Sequence, residues 1–106
     1  MADTASRLYG PTQLGTGAAT IYTSPASTTT IVRHMVAVNT ATVAAKLTIS
    51  IGADAAGTRI VPTITLAPGT TFEIKGFIVL AAADILQAYS DTASAITLTV
   101  NGVKIT

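Results

Sequence analysis

Along most of the chain, apolar and polar positions alternate with a period of two rather than 3.6, the mark of a half-buried β-strand. "TTIVRHMVAVN" (29–39) places Val32, His34, Val36 and Val38 on one face and Ile31, Arg33, Met35 and Ala37 on the other. "KLTISIG" (46–52) turns Leu47, Ile49 and Ile51 inward and Lys46, Thr48 and Ser50 outward. "AITLTVNG" (95–102) sets Ile96, Leu98 and Val100 against Thr97, Thr99 and Asn101, and "TFEIKGF" (71–77) sets Phe72, Ile74 and Gly76 against Glu73 and Lys75. Shorter β-branched runs lie at 19–23, 59–61, 63–66 and 85–89. Between them fall turn signals: Gly10–Pro11, Gly15–Gly17, Ser24–Pro25, Asn39–Thr40, Gly52–Gly57, Pro68–Gly69, Ser90–Asp91 and Asn101–Gly102. This pattern predicts an all-β, single-domain antiparallel β-sandwich of jelly-roll type, with a small barrel as the alternative. The alanine-rich "VLAAADILQAY" (79–89) could form a helix, but it lies between strand signals, and a bend followed by a strand is preferred. Residues 1–13 have no period and contain Gly-Pro, which predicts an extended N-terminal arm outside a sandwich domain of residues 14–106.

Composition narrows the function classes. The 106 residues are 49% hydrophobic and 10% charged, against about 25% charged in an average soluble protein. Net charge is +1 and the basic residues Arg7, Arg33, Lys46, Arg59, Lys75 and Lys104 are scattered, so no nucleic-acid partner is expected. The longest apolar run, Phe77–Ala83, is far short of the roughly 18 residues that span a bilayer, and no membrane partner is expected. The start, "MADTASRLYG", lacks the apolar region of a signal peptide, and the chain has no cysteine for disulfides or thiolate metal sites. Synthesis in a cytosol fits both features. A surface with so few charges, near neutrality, is expected to be covered by other subunits.

The loop "SIGADAAGTRI" (50–60) invites a test for a ligand cradle. Gly52 and Gly57 have the spacing of a phosphate-binding loop, but Thr58–Arg59 stands where Lys-Ser/Thr is needed, and a strand follows instead of a helix. A calcium loop needs several carboxylates, and Asp54 is alone. "LGTGAAT" (14–20) lacks the third glycine and the βαβ setting of a dinucleotide site. Both stretches therefore read as turns, with Gly52 and Gly57 at positive φ and Asp54 bonding its own backbone. His34 stands alone in a strand face, as a core or interface imidazole, with no carboxylate at a strand-compatible spacing. Glu73 and Asp84 read as solvated or capping side chains. No catalytic, cofactor-binding or metal-ligating residue emerges; the expectation is a protein that is not an enzyme and needs no cofactor. Arg7, Leu8 and Tyr9 differ: a guanidinium, an aliphatic and an aromatic on the predicted arm form a candidate docking motif, or a cover for the open end of the sandwich.

"LYGPTQL", "IYTSPAST" with "IVRHMVAVNT", "LTISIGADAAGTRI", "APGTTFEIKGFIVLAAADILQAYS" and "ITLTVNGVKI" resemble a family of small tailed-bacteriophage virion proteins, described as head-decoration or minor tail proteins. The resemblance covers residues 8–105 and rests most on 47–60. It implies a β-sandwich without enzyme activity, present in many copies on a virion. The leading expectation is a capsid decoration, or cement, protein made in the host cytoplasm. It would bind the major capsid protein on the outer surface of the capsid and stabilise capsomer contacts as a small cyclic homo-oligomer, a trimer being favoured. The alternatives are a tail-tip or baseplate component and, last, a carbohydrate-binding module, which would want more exposed aromatics.

Overall fold

The computed structural model describes residues 3–106. They form eight strands: β1 (Asp3–Gln13), β2 (Ala19–Thr23), β3 (Thr29–Asn39), β4 (Ala45–Ile51), β5 (Arg59–Leu66), β6 (Thr71–Leu80), β7 (Ile85–Ser90) and β8 (Ile96–Ile105), with a short 3-10 turn at Ala56–Thr58. β1 pairs with β8, β2 with β7, β3 with β6 and β4 with β5, all antiparallel. The chain is thus one long ribbon doubled back at the β4–β5 connection. Rolling that ribbon brings β8 beside β3 and β7 beside β4. Two four-stranded sheets result, β1-β8-β3-β6 and β2-β7-β4-β5. This is the jelly roll that the alternation predicts.

The core lies where period two puts it. Leu47, Ile49, Ile96, Leu98 and Val100 are all at most 1% exposed, and Val32, Met35, Leu80 and Leu86 join them between the sheets. The runs at 59–61 and 63–66 are one strand, β5, passing through Pro62. Proline is tolerated there because β5 is an edge strand, whose N–H groups need no further ladder partner. The stretch 79–89 is the end of β6, a turn and then β7, the bend-and-strand alternative.

Four local expectations are corrected. First, alternation in β3 breaks at Arg33–His34, where the register shifts against both neighbours, so Val32 and Met35 share the buried face. Second, Thr48 and Ser50 are as buried as Leu47, because Thr63 and the 52–58 loop cover the outer face of β4. Third, Gly10–Pro11 and Asn101–Gly102 lie inside strands rather than in turns. Gly102 is needed there because a Cβ would overlap the Ile31 carbonyl. Fourth, residues 3–13 are extended, as an arm would be, but run as edge strand β1 along β8, from Asp3 opposite Ile105 to Gln13 opposite Thr97. The first two residues of the predicted arm lie outside the described residues.

Candidate interaction surface

β1 separates the three candidate docking residues. Register shifts on both sides of Tyr9 interrupt its pairing with β8. Leu8 and Tyr9 are half-buried and pack on the core, whereas Arg7 is exposed opposite Asn101. Among the described residues the Arg7 side chain has neither a hydrogen bond nor an ion pair.

The β3 bulge organises the rest of this outer face. One residue of β8, Asn101, stands where β3 fits both Arg33 and His34, and the extra residue re-aims the two side chains outward. The Arg33 guanidinium lies over the ring of Phe77, 4.5 Å from its centroid. His34 Nε2 meets Glu73 Oε2 at 2.9 Å, and Lys75 Nζ lies 3.8 Å from the same oxygen. The His34 hydrogen bond, and secondly the Lys75 charge, hold the Glu73 carboxyl below its ordinary value of 4.5. Thus His34 is not a core imidazole; its side chain is 35% exposed and has a carboxylate partner 39 residues away in sequence. Spacing along one strand could not reveal it, because the contact runs between strands.

On the same face, Ala5, Val103, Ile31 and Val79 form one cross-strand row. Phe77 is 71% and Val79 60% exposed, on edge strand β6. Large apolar groups exposed on a sheet edge make this face a candidate contact surface. Sequence reasoning missed Arg33, Phe77 and Val79, although their apolar and cationic character was in view. What it lacked was the register that gathers them.

The 50–60 loop is a clamped hairpin connection. Asp54 takes two hydrogen bonds from Arg59, at 3.0 and 3.2 Å, and one from Ser50 Oγ at 2.7 Å. Its own N–H donates to Gln87 Oε1, and Arg59 also reaches the Tyr89 hydroxyl. These bonds, Arg59 foremost, hold the Asp54 carboxyl below its ordinary 3.8. Asp54 therefore works through side chains rather than by bonding its own backbone, and Gly52 alone of the two glycines has positive φ, at 91°. Asp84 caps its turn, accepting from the Ala81 N–H at 2.9 Å. Among the described residues no group of three or more His, Asp or Glu side chains could hold a metal ion.

The fold and this surface define an eight-stranded jelly-roll module with one partly apolar, cationic sheet face. No family model matches the chain, and neither does any curated protein. Its fold is similar to a chain of the disulfide-linked pili that are Bacillus endospore appendages, at 17% identity and TM-score 0.55, over 99% of this chain and 85% of that one. It is also similar to a chain of the T13 IBDV viral particle, at 12% identity and TM-score 0.50. That match covers 99% of this chain but 29% of the viral one. At such identities the likeness is one of fold. The present chain has no cysteine, so the disulfide links of those pili have no counterpart in it.

Proposed function

We propose that the protein is a non-enzymatic structural subunit of a phage particle, a decoration protein that binds the major capsid protein on the outside of the head. It acts there as a homo-oligomer, a trimer being favoured, and stabilises contacts between capsomers. The observation that carries this reading is the outer face of β1-β8-β3-β6, where exposed Phe77 and Val79 share one surface with Arg33 and Arg7. Aromatic and arginine side chains are the groups that dominate protein interfaces. Attachment works by burying this apolar surface, and mass action then favours the assembled shell. Arg7 contributes directly, while Leu8 and Tyr9 keep β1 on the sheet.

Phe77→Asp with Val79→Asp should abolish co-sedimentation with purified particles while leaving the circular dichroism spectrum unchanged. Full attachment of this variant would overturn the reading. A tail component is the second reading, because the same fold is similar both to a pilus chain and to a chain of a viral particle. Copy number relative to the major capsid protein separates them: hundreds per particle for a head protein, a handful for a tail tip.

A further inference from the structure

We infer that Arg7 and Arg33 form a receptor for a carboxylate side chain on an extended, acidic segment of the partner protein. The inference rests on the docking role just proposed for this face. Arg7, Arg33, Ala5, Ser6, Asn101, Gly102 and Val103 line one open concavity of about 480 Å³. It opens broadly to solvent, which suits a strand of another protein better than an enclosed small molecule.

Three features make the concavity a carboxylate site. Neither arginine has an ion pair among the described residues, and Glu73 is already engaged by His34 and Lys75. The two guanidinium charges of the concavity therefore have no ion-pair partner among the described residues. Arg33 is held in place by the Phe77 ring, so less conformational freedom is lost when it binds. Asn101 lies on β8, between Arg7 on β1 and the β3 bulge, and adds an amide donor between the two guanidinium forks. The neighbouring row of Ala5, Val103, Ile31 and Val79 is apolar. An extended segment repeats a face every second residue, about 7 Å apart. A carboxylate at one position thus brings an aliphatic side chain at the next onto that row. Nucleic-acid phosphates would instead call for a track of cations, and the apolar row offers none.

The test titrates the isotopically labelled full-length protein with a synthetic peptide repeating Glu-Ser-Val-Ser, which sets Glu and Val two residues apart on one face, followed by the Arg Nε–H and Asn side-chain signals. Saturable shifts are expected at Arg7, Arg33 and Asn101, with at least tenfold weaker binding of the peptide carrying Gln for Glu. Arg7→Gln and Arg33→Gln should each weaken the Glu peptide about tenfold, the scale of one charge-assisted hydrogen bond, with Tm unchanged. Equal binding of the Gln peptide, tighter binding of an oligothymidylate, or no saturable shift at millimolar peptide overturns the inference. The particle reading fails separately. If the Glu peptide binds but the protein does not attach to particles, the docking role falls and the carboxylate site stands. If particles bind the protein and the peptide does not, the site alone falls.

Discussion

Asn39, fully buried at the end of β3, shows how polar side chains specify this fold. Its Nδ2 donates to the carbonyls of Val43 and Leu66, at 2.9 and 2.8 Å, and its Oδ1 accepts from the Ala41 N–H at 3.0 Å. Asn39→Ala strands the buried Leu66 carbonyl and frees the half-exposed groups of Ala41 and Val43, and should lower unfolding free energy by about 1–3 kcal/mol in urea titrations. A loss below about 0.5 kcal/mol would show that solvent replaces the amide. Thr48 belongs to the same class: its hydroxyl meets Thr63 Oγ1 at 2.7 Å on a face that alternation assigns to solvent. Ile49→Ala and Leu98→Ala should each cost roughly 2–5 kcal/mol through lost transfer energy and the cavity left behind. Half-exposed Thr97 should tolerate alanine at near 0.5 kcal/mol. Thr48→Ala should fall between these, and a negligible effect would mean the Thr63 bond contributes nothing.

At the scale of elements, the four sheet edges differ. β5 is guarded by Pro62, β2 is only five residues long, and β1 contains Pro11 and two register shifts. β6 has no proline and carries the exposed Phe77 and Val79, which makes it the edge most open to a partner. β1 protects β8 in turn. Removing residues 1–9 would leave residues 100–105 of β8 as an edge and delete Leu8 and Tyr9 from the core margin. Each is half-buried, so the loss should be about 2–4 kcal/mol in unfolding free energy. An unchanged urea midpoint would mean that β1 lies on the sheet without stabilising it. For this reason the substitutions at Phe77 and Val79 test attachment more cleanly than truncation does.

For the molecule as a whole, two ion pairs, the exposed His34–Glu73 and the half-buried Arg59–Asp54, set the acid response. Glu73 and Asp54 both have carboxyls held below their ordinary values. A carboxyl depressed in the folded state stabilises it above the unfolded pKa, and that stabilisation is lost as pH falls through the folded pKa. Tm should therefore be insensitive to these groups at neutral pH and decline below about pH 5, as the two carboxylates take up protons. The double variant Glu73→Gln, Asp54→Asn should flatten that acid limb in calorimetric scans between pH 3 and 7. A limb of the same slope would assign the response to other carboxyls. Because β1 pairs with β8, the two ends of the chain meet in one sheet, and such non-local pairing places folding in the slow range typical of β-sandwiches.

Period-two alternation located β3, β4, β6 and β8 and placed Leu47, Ile49, Ile96, Leu98 and Val100 in the core, and short β-branched runs marked β2, β5 and β7, because the pleat sends neighbouring side chains to opposite faces whatever lies across the sheet. The turn character of 52–58 was likewise legible, since the loop lacks the partners a ligand cradle requires. Tertiary structure alone decided the rest. The bulge at Arg33–His34 arises only where β3 must match two neighbours at once, and it creates both the His34–Glu73 pair and the Arg33–Phe77 stack. Strand β1 has no period of its own, because this edge strand is largely exposed on both faces and its pairing with β8 is interrupted. Burial of Thr48 depends on what covers the outer face of β4. Local pattern records which way a side chain points; which strand lies opposite, and in what register, is set by contacts between residues far apart in the chain.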